Sequence, residues 1–386
     1  MTIYLDHAAT APINEAAVDA LNIQMRKLGN ASSIHNPGRS VRKDVEDARH
    51  KLSELIGANP SEIIFTGSGT EANNLAIKGF FWQHPERNVI VTSAFEHHAI
   101  LDPVEWLVEH EGAEQVLVPI TKAGIIDLDF LAKVVAARGS EIAVISIMHS
   151  NNELGSIQPI AEIVKIAGSI PVHTDAVQSF GKVEFNFAAL DVTAATISAH
   201  KIGGPLGVAA LILKRGLDLT PVLHGGGQER EIRSGTLNAP SIVAFTAAAE
   251  YAIANMATNF EKIRALRDYF VAGVKQCVPD VSINSISDPA LPGIVNATFP
   301  GTESDALLLL LDTEGVSASA GSACSAGVPR PSHVLVALGL SESDADASLR
   351  ISIGTTNTKN EIDQVLAILP SVVERARNAF VVSELN

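Results

Sequence analysis

Through the first two-thirds of the chain, short runs rich in β-branched residues alternate with helix-like segments. The runs are Glu62–Phe65, Val89–Thr92, Gln115–Pro119, Ala143–Met148, Val172–Thr174, Ala194–Ser198 and Val208–Leu213. This rhythm predicts an α/β fold with a mainly parallel seven-stranded sheet covered by helices on both faces. In such a sheet, ligands gather beyond the C-terminal ends of the strands. Ser241 to Arg267 is rich in alanine and helix formers, which predicts one long helix or two joined ones. From about Asp268 the pattern changes to short strands at Val281–Ile286 and Ile294–Thr298, a helix through Leu307–Leu311, and a Ser/Ala/Gly stretch at Ser317–Gly327. The expected division is a large domain over 16–260 and a smaller α+β domain formed by 1–15 and 261–386.

Composition narrows the function. Of the 386 residues 46% are hydrophobic, yet no apolar run reaches the roughly 18 residues of a spanning helix. The opening MTIYLDHAAT lacks the basic-then-apolar pattern of a secretory leader, so the cytoplasm is the expected compartment and no membrane association is expected. A formal charge of −15 argues against direct nucleic-acid binding, which needs a basic surface; its plainest role is solubility. The two cysteines, Cys277 and Cys324, are too far apart in sequence to suggest a disulfide framework or a thiolate zinc site. A reduced thiol with chemical work to do remains.

Several residues carry potential chemistry. Lys201, in SAHKIGGP (198–205), follows an apolar strand where the chain turns. Partial desolvation there favours the neutral amine that forms an imine with an aldehyde cofactor; a solvated surface lysine is the plainer alternative. Asp175 closes another apolar strand, where a carboxylate could keep a pyridine nitrogen protonated or merely cap a helix. Thr66–Asn73 (TGSGTEAN) offers small residues and backbone N–H groups at a helix start, suited to a phosphate, although it has neither Walker nor dinucleotide spacing. His97 could lie flat against an aromatic cofactor or ligate a metal. With His149, His173, Asp175 and His200 it admits a metal-hydrolase reading, but no HExxH or paired-cysteine spacing supports one. Arg350, inside an apolar strand-like run, needs an anion, either a substrate carboxylate or a structural acid. Cys277 reads as an inert core thiol, whereas Cys324 sits at the centre of a small-residue loop that would leave a thiol accessible.

Taken together, these segments resemble the NifS/IscS-like cysteine desulfurases, within fold type I of the pyridoxal-phosphate enzymes. The resemblance runs from Tyr4 to Arg350 and rests on GTEANNLAIKG (69–79), EHHAIL (96–101), SIMHSNNELG (146–155), HTDAVQS (173–179), SAHKIGGP (198–205), HGGGQEREIRSGTLN (224–238) and SAGSACSAG (319–327). It implies pyridoxal 5'-phosphate joined to Lys201, with His97 stacked on the ring, Asp175 at the pyridine nitrogen and Gln178 at the ring oxygen. Gly69, Thr70, Ser198 and His200 would hold the phosphate, joined by Thr236 from a neighbouring subunit of a homodimer with a shared active site. Asn152 and Arg350 would orient the carboxylate of L-cysteine. Cys324 would take the sulfur as a persulfide for delivery to an acceptor or scaffold protein, in iron–sulfur cluster or thio-cofactor biosynthesis. The interval from Cys324 to His333 resembles that of the subgroup with the longer cysteine loop. Two departures touch local packing: Gly203 stands where that family commonly has an aromatic residue, and Leu206 where it commonly has lysine. A selenocysteine lyase, or a cofactor-binding platform for sulfur acceptors, would share these motifs.

Overall fold

A computed structural model describes residues 2–286, 288–321 and 331–384, the side chains of 380–384 excepted. Its largest sheet has seven strands in the order Ile63–Thr66, Ala209–Leu213, Ala194–Ser198, Val172–Asp175, Ile142–Ser146, Val89–Ser93 and Glu114–Val118. Only Ala209–Leu213 runs antiparallel to its neighbours; the other pairings are parallel. The central strands are buried along their whole length, as expected when both faces of a sheet are covered. One hydrophobic cluster packs Val45, Leu52, Phe65, Ile145, Ile197 and Phe245 together, and another gathers Ile64, Phe80, Ile90, Val144 and Leu211. Alternate residues of one strand, such as Val144 and Ile145, thus enter different clusters, following the two-residue period of a strand. All seven expected strands are present, with ends shifted by a residue or two.

The alanine-rich stretch forms two helices, Ala239–Ala254 and Met256–Cys277. Asn255 separates them and ends the first helix. A three-stranded antiparallel sheet orders Ser348–Ser352, Ile294–Thr298 and Ser282–Ile283. The last of these is shorter than the expected Val281–Ile286, because Ile286 leaves the ladder to bond Leu154. Ile3–Tyr4 pairs in parallel with Val316–Ser317. These strands and the helices Met256–Cys277, Ser304–Thr313 and Lys359–Glu384 share their own core, centred on Leu5, Phe270, Val295, Leu311 and Val373. The N-terminal residues therefore complete a core otherwise built from the end of the chain. Cys277 is half-buried; its thiol donates to the Val274 carbonyl at 3.7 Å, and burial pushes its pKa up.

Candidate active site

Asp175 is the last residue of its strand, and Ser198 the last of the adjacent one. Their parallel pairing aligns Asp175 with Thr196, so both strands end on the same side of the sheet. After Ser198 the chain makes one short turn of helix through Lys201 and then doubles back. Gly203 has φ +81°, in the left-handed region that glycine enters more readily than other residues. A Cβ on Gly204 would stand only 3.0 Å from the Ala199 carbonyl oxygen. The turn sends the Lys201 amine toward the N-terminal segment, where it donates to the carbonyls of Ala8 at 2.7 Å and Ala9 at 2.8 Å.

Beyond the strand Ile63–Thr66, Ser68 caps the helix Gly69–Gln83 through its hydroxyl, which accepts the Glu71 N–H. The first N–H groups of a helix have no partner within it, and Gly69 and Thr70 at this helix start line the cavity. A Cβ at Gly69 would come within 3.2 Å of Val177 Cγ2, so glycine keeps that floor open. His97 caps the helix His98–Glu111, its Nδ1 accepting the Ala99 N–H at 3.0 Å. The ring proton, when the ring is neutral, therefore sits on Nε2. Burial pushes the His97 pKa down; Asp175 opposes that shift, and Lys201 adds to it.

All these residues wall one cavity of about 410 Å3, lined by Gly69, Thr70, His97, Asp175, Gln178, Ser198, His200 and Lys201, with Asn152 and Arg350 opposite. Ten of the twelve site residues expected from the sequence therefore converge. Thr236 does not: it is exposed and absent from that lining, because its segment is tied down elsewhere. Glu229 of that segment forms a buried bidentate pair with Arg49 at 2.8 and 2.7 Å and accepts the Phe65 N–H. Cys324 lies outside the described residues; Gly321, the last described residue before it, lines the cavity.

The cavity offers the donor set that a pyridoxal phosphate needs. Asp175, 7% exposed, accepts Asn73 Nδ2 at 2.6 Å and the Val177 N–H at 2.9 Å. The Asn73 Oδ1 atom beside it is buried without a hydrogen bond, a cost that a native fold rarely carries without reason. The helix start supplies the anion site, Lys201 the amine and His97 a flat ring. His200, whose Nδ1 lies 3.3 Å from the Thr10 hydroxyl, has its pKa pushed down to about 4, first by burial and then by Lys201 and Lys182.

Arg350 meets a structural acid, the plainer of the two anion partners expected for it. It is 4% exposed and forms an ion pair with Asp6 at 2.8 Å, and it donates to the Asn152 carbonyl at 3.4 Å. Its Nε is buried with no acceptor, and the residue also lines the cavity. The metal-hydrolase set fails on geometry. His173 Nδ1 is engaged by Ser146 and its Nε2 by Thr196, while His149 bonds Ser179. Among the described residues no group of three or more His, Cys, Asp or Glu side chains is placed to hold a metal.

Several lining residues escape sequence reasoning. Asn73 reaches Asp175 across 102 positions. Glu153, buried beside Asn152, accepts the Ser332 hydroxyl at 2.5 Å. Burial pushes the Glu153 pKa up, with Ser332, Arg350, His333 and His98 opposing. Their only signal was position within the segments of the resemblance.

The model of the aminotransferase class-V family matches residues 3–365. An IscS-like cysteine desulfurase of Mycobacterium tuberculosis is 45% identical over 383 residues, covering 97% of each chain. The cysteine desulfurase IscS of Dictyoglomus turgidum is 41% identical over 97% of this chain and 95% of its own. Among solved structures, a NifS-like protein superposes with a TM-score of 0.90 at 32% identity, covering 97% of this chain and all of that one. SspA in complex with cysteine gives 0.78 at 32% identity, over 92% of this chain and all of that one. The fold, the converging site and these relatives agree: the chain belongs to the aminotransferase class-V family, among its cysteine desulfurases.

Proposed function

We propose that this protein converts L-cysteine to L-alanine with pyridoxal 5'-phosphate held on Lys201, passing the sulfur to Cys324. The observation that carries this reading is that Lys201 and Asp175 wall the same cavity. They come from adjacent strand ends, as an amine and an acid must if they are to grip opposite parts of one pyridine ring.

Bound there, the cofactor would supply an aldehyde for the substrate amine and a protonated ring that accepts electrons from Cα. Asp175, fixed by Asn73 and the Val177 N–H, would keep the ring nitrogen protonated. The helix start at Gly69 and Thr70, with Ser198 and His200, would hold the phosphate. His97, its Nδ1 pinned by the helix N–H, would cover the ring, and Gln178 would meet the ring oxygen. The Lys201 Nζ would take the substrate's α-proton and return it later, an acid–base role open to a lysine next to other cations.

Arg350 and Asn152 bind the substrate carboxylate and so point the thiol side of cysteine toward the segment that follows Gly321. The Cys324 thiolate attacks the substrate sulfur. An S–S bond forms, the Cβ–S bond breaks with its electron pair left on carbon, and Cβ takes a proton to become the methyl of alanine. The sulfur stays on the protein as a persulfide for an acceptor or scaffold protein. In this reading the large domain spans 16–260, and 1–15 with 261–386 form the smaller one. Thr236, outside its own chain's cavity, completes the phosphate site of a second subunit in a homodimer.

Mass spectrometry after incubation with cysteine tests the whole reading. Wild type gains one sulfur on Cys324 and releases alanine in equal amount. A Cys324→Ala variant that still produced alanine at the wild-type rate would remove Cys324 from its role.

A further inference from the structure

A second cavity, of about 120 Å3, shares Ala8 and Lys201 with the first as part of its wall. It lies where the two cores meet: Ile202 and Ala252 belong to the sheet's cluster, Ile263 and Ile353 to that of the C-terminal part. Its mouth is marked by Tyr251, which is half exposed. Most of the wall is apolar, but the charged part of it has one sign. Lys182 lines it, with Lys201 beside it as a second cation only while its amine carries no cofactor, and among the described residues no aspartate or glutamate does.

Two groups in this wall are incompletely matched. Lys182 donates to the neutral Gln178 Oε1 at 2.9 Å and forms no ion pair among the described residues. Burial, followed by the charges of Lys201 and Arg350, pushes its pKa down to about 7. Asn14 caps the helix Glu15–Met25 through Oδ1, which accepts the Ala17 N–H at 2.8 Å. Its Nδ2 is buried with no hydrogen-bond partner. Gly203 presents no side chain here, and a Cβ on it would stand 3.2 Å from that Nδ2. A buried donor without an acceptor, a cation paired only with an amide, and apolar walls with no competing acid describe the complement of one kind of molecule.

We propose that this cavity binds a small monocarboxylate with a compact apolar tail. The carboxylate faces Lys182 and accepts from Asn14 Nδ2 once that amide turns into the cavity, and the tail packs on Ile202, Phe260 and Ile294. The proposal does not depend on the desulfurase reading, because its readout is binding. Because the two cavities share the Lys201 wall, the bound molecule would also sit next to the reactive amine without entering the active site.

Calorimetric titration of the cofactor-loaded protein with benzoate tests this, with benzyl alcohol as the uncharged control. Asn14→Asp keeps the helix cap, since aspartate caps as well as asparagine, but replaces the unmatched donor with a carboxylate. Benzoate should bind to wild type in the millimolar range or tighter. It should bind at least about tenfold more weakly to Asn14→Asp, with Tm, cysteine turnover and benzyl alcohol binding unchanged. Lys182→Met, which keeps length while removing the cation, should weaken benzoate similarly and serves if Asn14→Asp folds poorly. Absence of benzoate binding up to about 10 mM, or equal affinity in wild type and both variants, overturns the proposal. So does benzoate binding that disappears in Arg350→Lys while surviving in Asn14→Asp, because that ligand would occupy the active site.

Discussion

The active-site cavity has two walls assembled by different means. On one side Asp175, Ser198 and Lys201 stand at neighbouring strand ends within 27 positions of one another. Local sequence fixes them: an apolar strand, a polar terminal residue, a glycine-bearing turn. On the other side Arg350 projects from the three-stranded sheet and finds Asp6 344 positions away and the Asn152 carbonyl 198 away. That wall exists only once the N-terminal segment and the C-terminal core have met. The first wall has the chemistry for a cofactor and the second for a substrate, so damage to each should be separable.

The largest effect should come from the first wall. Lys201→Ala is expected to lower alanine formation at least about a thousandfold and to abolish the visible absorbance of the covalently held cofactor. Retention of both would dissolve the distinction between the walls. Asp175→Asn should keep the cofactor bound but reduce kcat about a hundredfold or more, since an amide cannot hold the ring nitrogen protonated. A variant that changed only KM would place Asp175 on the substrate side.

Arg350→Lys keeps the charge but loses the planar fork. It should raise KM for cysteine about tenfold to a hundredfold while leaving cofactor absorbance untouched. Weaker cofactor binding in that variant would blur the comparison from the other direction. If Thr236 serves a neighbouring subunit's phosphate, Thr236→Ala should weaken cofactor affinity by about threefold to tenfold. Mixed dimers carrying Thr236→Ala on one chain and Lys201→Ala on the other would show which subunit the threonine serves.

A smaller effect concerns acid stability of the sheet side. Burial holds His149 at a pKa of about 4 and His173 at about 3, below the ordinary value near 6.5. Both are neutral in the folded protein, whereas unfolding lets them bind protons. Stability is thus complete above about pH 6.5 and is lost progressively as pH falls toward these folded-state values. Thermal scans should show Tm roughly a few degrees lower at pH 5 than at pH 7. Replacing His173 with glutamine should shrink that difference; an unchanged difference would mean that the ring is not the proton acceptor.

The sheet and most of the site were legible because their causes are local. Short, mostly small or β-branched runs such as Ala194–Ser198 are buried along their whole length, and a charged residue just past such a run sits at a strand end. Strand limits moved where long-range bonding intervened, as at Ile286, which is drawn out of its ladder by the Leu154 carbonyl. The length of the helical stretch was ambiguous because no proline or glycine punctuates it; the break came at Asn255. Asn73 stayed hidden because an amide in a helix has no periodic signature, and its meaning appears only opposite Asp175.

By itself, then, the sequence determined the α/β layering, the positions of Lys201, Asp175 and His97 relative to their own strands, and the motifs shared with the cysteine desulfurases. Those features depend on residue period and turn chemistry over a dozen residues. Only the tertiary structure decided that Arg350 pairs with Asp6 while its Nε stays unmatched, that Thr236 does not line its own chain's cavity, and that Lys182 and Asn14 border a second one. Such facts come from packing between segments hundreds of positions apart, where burial decides which polar groups find partners and which are left unmatched.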